Sequence, residues 1–386
     1  MKPRILFLDH SGELGGAELY LLDVARPYRD RSTVVVLDDG PFPDRLRAEG
    51  FHTMVLQDDD ARLQSVQKSS RLMDALRAAP SIAQHVTRVL SHLRRHDLLF
   101  ANSQKALIVG AIAGTLARRP IVWNLHDILT AEHFSRINRR VAVTCANWLV
   151  DRVIVNSEAT RKAFTQSGGD TDKTGLVYNG IRATPFDAVS PDDVAAVRNE
   201  LDVPEAPMVG VFSRLAPWKG QHVLIDALTA LPDVHALFVG DALFAGDEAY
   251  AEQLRVQARR HDLTHRVHFL GFRDDIPTLM HAVDVVAHTS TAPEPFGRVI
   301  VEGMLAGRPV VATRAGGPIE IIQDDVNGKL VPPGDADRLA DALRVLMSDP
   351  DRASQLAERG RRQARTRFSV DAMQDAIEEN IQRVLT

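Results

Sequence analysis

The sequence has a single cysteine, Cys145, and no long run of apolar residues. One thiol cannot form an intramolecular disulfide, and a cysteine-based zinc site needs several thiolates. The first apolar run, residues 5–8, is too short for the core of a signal peptide. No segment has the roughly 20 consecutive apolar residues of a membrane-spanning helix. We therefore expect a cytoplasmic protein.

The sequence also has no excess of basic residues, because its 46 lysines and arginines are outnumbered by 51 aspartates and glutamates. With a net charge of -5 and no recognition motif, the chain is not predicted to bind nucleic acid. The charge is uneven, however, and residues 60–140 hold 13 basic and 5 acidic side chains. At 386 residues and 45% hydrophobic composition, the chain is long enough for two globular domains with sizeable cores.

Short β-branched runs alternate with helical stretches along both halves of the chain. Near-continuous apolar strands between helices are typical of parallel sheets that are covered on both faces. The pattern occurs twice, which predicts an α/β protein with two doubly wound parallel sheets. The predicted strands are residues 5–8, 33–37, 53–56, 98–101, 121–125, 153–156, 208–213, 236–239, 267–270, 285–287, 309–312 and 329–331.

Domain boundaries follow from the prolines of residues 183–207 and from the pattern of the carboxyl terminus. We predict a first domain over residues 1–185 and a second over 186–367. Residues 368–386 form a predicted helix, since apolar side chains recur in it at spacings of three or four. This helix lies past the last strand of the second domain, and we expect it to pack back on the first.

An acidic pair brackets a predicted helix start in the second half. Glu294 precedes the break at Pro295 and Gly297, and Glu302 follows inside the helix. Backbone N–H groups at Phe296, Gly297 and Arg298 would point out of such a helix end, which favours an anionic phosphate. Glu302 could then bind ribose hydroxyls and Glu294 the hydroxyls of a transferred sugar. The alternative is an acidic first turn that only stabilises the helix dipole.

A basic loop follows the first predicted strand of the second half. Its sequence is Ser-Arg-Leu-Ala-Pro-Trp-Lys-Gly over residues 213–220, and it precedes a predicted helix. Arg214 and Lys219 could hold a diphosphate and stabilise its charge as it leaves. A solvated pair of cations is the alternative.

Together these two segments resemble the retaining GT-B glycosyltransferases of family 4. The resemblance implies a GT-B fold, in which two Rossmann-like domains face each other across a cleft. It also implies that Arg214, Lys219 and Glu294 act in catalysis, and that Glu302 and the helix start near Phe296 bind the nucleotide. Trp218 departs from the pattern, because relatives often carry an acidic residue there.

Further donor-binding positions follow predicted strands in the second half, at the sheet edge where open α/β folds bind ligands. Glycine there allows a close backbone approach, and Phe272 and Arg273 follow one of these glycines. Any turn between strand and helix favours glycine, so each position alone is weak support. The positions are Gly240, Phe272, Arg273 and Gly316.

In the first half, a glycine-rich turn and a histidine follow predicted strands. The resemblance brings Gly15 and Gly16 close to the donor diphosphate, and brings His126 to the donor sugar, which it would orient. A packed histidine is the alternative for His126. A dinucleotide-binding oxidoreductase also stays open, because Asp38 follows the second strand as a ribose-binding acid would, although the glycine spacing does not match.

Residues 61–96 read as a basic amphipathic pair of helices divided by Pro80. Such helices can lie on an anionic membrane surface and guide a lipid-linked acceptor, and an ordinary exposed helix pair explains them equally well. The acidic run Asp58, Asp59 and Asp60 is expected to be a solvated turn, so no metal site is predicted.

The sequence therefore predicts a retaining hexosyltransferase that takes a sugar from a nucleotide-diphosphate donor, such as a UDP- or GDP-sugar. The acceptor would be a saccharide or a lipid-linked glycan precursor, and the enzyme would contact the inner face of the membrane peripherally. No cofactor or metal is expected. Two alternatives remain, which are a sugar phosphorylase of the same fold and a catalytically inactive protein that binds sugar nucleotides.

Overall fold

The computed structural model describes residues 2–56, 72–130, 134–203, 205–242 and 247–386, with the backbone alone over residues 72–78. The chain forms two compact units. The first consists of Met1–Gly180 together with Val370–Thr386, and the second is Ile181–Ser369. The sequence-based prediction places the domain boundary after residue 185. Asp58, Asp59 and Asp60 lie outside the described residues, and so do residues 61–71 of the predicted basic helix pair.

The first unit holds a parallel sheet of seven strands in the order β3-β2-β1-β4-β5-β6-β7. The strands are β1 (Ile5–Asp9), β2 (Thr33–Val36), β3 (His52–Val55), β4 (Leu98–Ala101), β5 (Ile121–Leu125), β6 (Arg152–Val155) and β7 (Thr174–Leu176). All but β7 were predicted. This edge strand has only three residues and contains Gly175, so it lacks the β-branched run that marks the others.

Helices cover both faces of the first sheet. They are α1 (Gly16–Ala25), α2 (Pro41–Ala48), α3 (Leu72–Leu93), α4 (Gln104–Ala117), α5 (Arg136–Leu149) and α6 (Glu158–Gln166). Side chains alternate along β1, so Leu6 and Leu8 pack in the core under α3 to α6, whereas Phe7 packs in the core on the opposite face.

The prediction that Pro80 divides two helices is wrong, because Pro80 lies inside α3. Proline removes one backbone donor and bends a helix, but it need not end one. After Pro80, packing holds α3 in place, since Val86, Val89 and Leu93 are buried in the core of the first unit.

The second unit holds a parallel sheet of six strands in the order β10-β9-β8-β11-β12-β13. The strands are β8 (Met208–Phe212), β9 (His235–Val239), β10 (Val267–Gly271), β11 (Val285–His288), β12 (Val310–Thr313) and β13 (Lys329–Val331). All were predicted, so the predicted pair of doubly wound parallel sheets is confirmed.

The helices of the second unit begin in the proline-rich segment and end just before the final helix. They are α7 (Thr184–Asp187), α8 (Pro191–Glu200), α9 (Gln221–Ala227), α10 (Asp247–Arg260), α11 (Ile276–Ala282), α12 (Arg298–Leu305), α13 (Pro318–Ile321), α14 (Ala336–Ser348) and α15 (Pro350–Arg367). The last helix, α16 (Val370–Leu385), belongs to the first unit, where Met373, Ile377 and Ile381 are buried with Phe7 and Tyr20. None of the described helices is long and apolar enough to span a membrane.

Candidate active site

The strand order of the second sheet reverses between β8 and β11, and the loops after these two strands meet there. Open α/β sheets bind ligands at this kind of switch point, beyond the carboxyl ends of the strands. The loop after β8 supplies Lys219, and the loop after β11 supplies Glu294. Lys219 Nζ donates a hydrogen bond of 2.7 Å to Glu294 Oε2, so the structure brings these two predicted site residues together.

Polar side chains at the end of β11 complete the surroundings of Glu294. Ser290 Oγ donates to Glu294 Oε2 at 3.1 Å, and His288 Nε2 lies 3.4 Å from the same oxygen. Thr313 Oγ1, at the end of β12, lies 3.3 Å from His288 Nδ1. Burial alone would raise the pKa of Glu294, but the Lys219 ammonium and His288 outweigh it and hold that pKa far below its usual range. Glu294 is therefore a carboxylate at neutral pH.

Both cations of the predicted phosphate clamp lie over the indole ring of Trp218. Lys219 Nζ is 4.1 Å from the ring centroid and Arg214 Cζ is 5.6 Å from it, distances typical of cation–π contacts. Arg214 Nη1 also donates to Asp247 Oδ2 at 3.1 Å. Trp218, which departs from the family pattern, thus holds the two cations beside each other.

Side-chain and backbone bonds tie the two loops of the switch point together. Thr289 Oγ1 donates to the Lys219 carbonyl at 2.8 Å, and Thr291 N donates to the Trp218 carbonyl at 2.8 Å. Gly220 has a positive φ of 70°, and a Cβ there would lie 2.1 Å from the Thr289 carbonyl oxygen. Only glycine therefore fits where the loop after β8 crosses the loop after β11.

The predicted helix start is present, since α12 begins at Arg298 with Gly297 as its N-cap. The preceding loop is held by Gly317 N, which donates to the Glu294 carbonyl at 2.7 Å. Gly316 has a φ of 76°, and a Cβ there would lie 2.2 Å from that carbonyl oxygen. The Phe296 side chain is buried against Phe368, with ring centroids 5.7 Å apart, so only its backbone is a candidate for ligand binding.

Glu302 lies one turn inside α12, as its spacing predicted, with Arg298 Nη2 3.5 Å from its carboxylate. Burial raises the pKa of Glu302, and the Arg298 guanidinium opposes that shift. Among the described residues, Glu302 has no set of hydrogen-bond donors comparable to the one around Glu294.

Of the weaker predicted positions, Gly240 and Arg273 have structural partners. A Cβ on Gly240 would lie 2.2 Å from the Ser213 carbonyl oxygen, so close packing of the turns after β8 and β9 requires glycine there. The Arg273 guanidinium donates to Asp275 at 2.7 Å and to Glu200 at 2.9 Å. Phe272, in contrast, is 67% exposed beside the end of β10.

The first sheet has its own switch point, between β1 and β4, where a chain of hydrogen bonds leads to His126. Asn102 Nδ2 donates to Asp9 Oδ2 at 2.6 Å and to the Ala17 carbonyl at 3.1 Å. Asn102 Oδ1 therefore faces His126 Nε2, 2.9 Å away. Asn124 Nδ2 lies 2.5 Å from the same ring nitrogen and donates to Asn102 Oδ1 at 2.9 Å, so the side chains of Asn102, Asn124 and His126 form one network. The rings of His126 and Tyr20 pack nearly perpendicular to each other, with centroids 4.9 Å apart.

The glycine-rich turn leads into α1 with Gly15 as the N-cap and Gly16 as the first helical residue. Gly15 N donates to Glu18 Oε2 at 3.0 Å. Burial, together with the Asp9 carboxylate, raises the pKa of Glu18 to about 7. The turn therefore has a buried carboxyl group directly behind its backbone.

Several polar residues of these sites were not predicted from the sequence. They are His288 and Ser290 in the second unit and Asp9, Glu18 and Asn124 in the first. His288 and Asp9 are the last residues of β11 and β1, so the rule that ligands bind at the carboxyl ends of strands could have identified them. Within the described ranges, no group of three or more histidine, cysteine, aspartate or glutamate side chains is arranged to hold a metal ion.

Two family models match the chain, one for each half. The model described as glycosyl transferases group 1 matches residues 195–363, and the glycosyl transferase 4-like domain matches residues 15–180.

Solved structures match over the whole chain. HepE of Anabaena in complex with UDP and glucose is 45% identical, with a TM-score of 0.90, and the match covers 99% of this chain and 100% of that one. The same protein in complex with UDP-glucose gives a TM-score of 0.89 at 45% identity, with the same coverage of both chains.

Curated relatives match over a shorter length. The lipopolysaccharide core biosynthesis glycosyltransferase LpsE of Rhizobium meliloti is 38% identical over 184 residues, which are 47% of this chain and 52% of LpsE. A D-inositol 3-phosphate glycosyltransferase of Mycobacterium avium is 30% identical over 239 residues, or 61% of this chain and 55% of the relative. The matched region thus spans about half the length of these relatives.

Proposed function

The chain belongs to the family 4 glycosyltransferases of the GT-B fold, and from this premise we propose that it is a retaining hexosyltransferase that uses a UDP-sugar donor. Uridine is chosen because HepE, 45% identical over nearly the full length, was solved with UDP-glucose bound. The observation that carries the proposal is the cluster of Lys219, Arg214 and Glu294 at the switch point of the second sheet.

The donor diphosphate would lie between the two cations and the start of α12. Arg214 and Lys219 supply positive charge, and the N–H groups at Gly297 and Arg298 supply donors at the positive end of the helix dipole. As the bond between the anomeric carbon and the phosphate oxygen breaks, negative charge grows on the diphosphate. Cations held in place beforehand stabilise that charge without reorganisation.

Glu294 would accept hydrogen bonds from hydroxyls of the transferred sugar. Its depressed pKa keeps it ionised, and charge-assisted bonds to hydroxyls are the stronger kind. Glu302 would bind the ribose, and Gly316 would let the backbone approach the sugar. Gly240, Phe272 and Arg273 would surround the base.

His126 and the glycine-rich turn of the first unit complete the proposal. His126, held beside Asn102 and Asn124, would orient the donor sugar, and Gly15 and Gly16 would approach the diphosphate. In the retaining reaction the acceptor hydroxyl attacks the face that the phosphate leaves, and a phosphate oxygen takes the hydroxyl proton. This route needs no protein nucleophile.

The acceptor would be a saccharide or a lipid-linked glycan precursor. The relative LpsE is named a lipopolysaccharide core biosynthesis glycosyltransferase. Lipopolysaccharide is a lipid-linked glycan, which supports an acceptor at a membrane. We accordingly propose a cytoplasmic enzyme with peripheral contact to an anionic membrane. Because Arg214 and Lys219 supply the positive charge at the diphosphate, we expect turnover to need neither metal nor cofactor and to persist in a chelator.

The test is hydrolysis of UDP-glucose by the purified chain, followed by proton NMR with time. We expect UDP to be released and α-glucose to form before mutarotation mixes the anomers, because the donor is an α-glucoside. Initial β-glucose would contradict retention. Binding of UDP-glucose without any release of UDP, also in the presence of acceptor extracts, would indicate the inactive binding protein. Phosphorolysis of a disaccharide without nucleotide would indicate the phosphorylase.

A further inference from the structure

Two neighbouring helices of the first unit, α4 and α5, expose an unusual number of large apolar side chains. Trp148 is 81% exposed and Leu116 is 62% exposed. Both side chains lie outside the buried faces of their helices, so they do not contribute to the core. The exposed set, which we call the α4–α5 apolar surface, consists of Ile112, Leu116, Ile137, Val141 and Trp148.

The spacing of these residues places them in stripes along the outer sides of the helices. Ile137, Val141 and Trp148 recur at intervals of four and seven, which places them on one face of α5, in a stripe about 16 Å long. Ile112 and Leu116 are likewise one turn apart on α4. The two helices pack beside each other on the same face of the sheet, and Gln104 Nε2 donates to the Asn138 carbonyl at 3.1 Å. The stripes therefore belong to a single surface.

The charged side chains on the two helices have one sign. Neither α4 nor α5 contains an aspartate or glutamate. The arginines on and beside the two helices are Arg118, Arg119, Arg136, Arg139 and Arg140. In the part of the chain that the structure describes, these five form no ion pair with a carboxylate. Arg94 and Arg95, at the end of α3 beside α4, are also exposed.

We propose that the α4–α5 apolar surface docks on an anionic lipid bilayer, a step that rests on the membrane contact of the proposed function and names the residues that make it. Tryptophan and arginine suit the bilayer interface, since their apolar parts enter the headgroup region while their polar ends stay hydrated. Arginines at such a surface are attracted to anionic headgroups. Two copies of this surface would instead bring like charges together, which disfavours self-association.

The placement of α5 connects this surface to the candidate active site. His126 follows β5, and α5 begins at Arg136 and returns across the sheet towards β6. Ile137 therefore lies near the edge of the sheet that carries His126, and Trp148 near the opposite edge. A bilayer against the surface would hold a lipid-linked acceptor beside the first-unit part of the site.

Flotation of the full chain with lipid vesicles tests the proposal. We expect binding to vesicles of phosphatidylcholine mixed with phosphatidylglycerol at low salt, weaker binding at high salt, and little binding to phosphatidylcholine alone. Two double variants, Leu116→Ser with Trp148→Ser and Arg136→Glu with Arg140→Glu, should each raise the lipid concentration for half-binding by about tenfold or more. The matched control is Arg359→Glu with Arg362→Glu on α15, which should bind like the wild type.

Tryptophan emission gives a second measurement on the same samples. Trp123 is fully buried and Trp218 is partly buried, so a blue shift on adding anionic vesicles should come from Trp148 and vanish in Trp148→Phe. No binding to anionic vesicles, or equal binding by the surface variants and the wild type, would overturn the proposal. So would a concentration-dependent dimer that the variants abolish. Hydrolysis of UDP-glucose in solution should be unchanged in the surface variants, so a failure of docking is distinguishable from a failure of the proposed transferase activity.

Discussion

Lys219 and Glu294 are 75 residues apart in the sequence and share a hydrogen bond of 2.7 Å. The ammonium that we assign to the diphosphate therefore also holds the carboxylate that we assign to the sugar. Side-chain exposure is 15% for Lys219 and 13% for Glu294, so neither charge is well solvated. Their contributions to donor binding and to stability should be coupled.

A double-mutant cycle measures that coupling. Lys219→Ala leaves a buried carboxylate without its main counter-charge, so it should lower the melting temperature more than Glu294→Gln does. The double variant should be more stable than the sum of the single losses predicts, with a coupling of roughly 0.5–3 kcal/mol. Thermal unfolding of the four proteins gives the values. Strict additivity would show that the pair is not energetically linked.

Loss of Arg214 should weaken donor binding and leave the fold intact. Arg214→Ala removes one of the two cations over Trp218, and we expect the Kd for UDP-glucose to rise at least tenfold, about 1.4 kcal/mol. Arg214→Lys should recover part of the loss, because it restores a charge without the planar guanidinium. The control is Arg352→Ala, which removes an arginine paired with Asp325 on the surface. Equal calorimetric affinities for Arg214→Ala and the control would contradict the assignment.

The residues changed in these two experiments differ in how far the sequence alone predicts their placement. Arg214 and Glu294 each follow a strand with a clear apolar pattern, so the sheet edge on which they lie could be predicted. The bond between Lys219 and Glu294 could not, because it depends on how two loops cross at Gly220 and Thr289. Likewise, the hydrogen bond from Asn102 to Asp9 could not be predicted, since it joins residues that are 93 apart in the sequence.

Glu18 should make the stability of the first unit depend on pH. Its folded-state pKa of about 7 exceeds its ordinary value, so the folded state holds the proton more tightly. That contribution is complete below about pH 4.5 and is lost as pH rises through 7. Glu18→Gln removes it, so the melting temperature of the wild type relative to the variant should fall between pH 5 and 8. The exposed Glu13→Gln variant is the control, and a pH-independent difference for Glu18→Gln would contradict the prediction.

Gly316 should tolerate no side chain, for a reason that can be separated from backbone strain. In Gly316→Ala the new Cβ would meet the Glu294 carbonyl oxygen at 2.2 Å, and the residue would also keep a φ of 76°. Gly334 has nearly the same φ, 74°, with nothing within 4 Å of its Cβ. Gly334→Ala should therefore cost about 1 kcal/mol of unfolding free energy, and Gly316→Ala clearly more. Equal losses in denaturant unfolding would show that contact with the Glu294 loop is unimportant.

The central claim is that the donor diphosphate binds between Arg214, Lys219 and the start of α12. A crystal structure of the chain with UDP-glucose tests it most directly. The account predicts diphosphate oxygens within hydrogen-bond distance of both cations and of the N–H groups at Gly297 or Arg298, with the glucose hydroxyls on Glu294. A diphosphate bound elsewhere on the chain, with Lys219 still bonded only to Glu294, would contradict it.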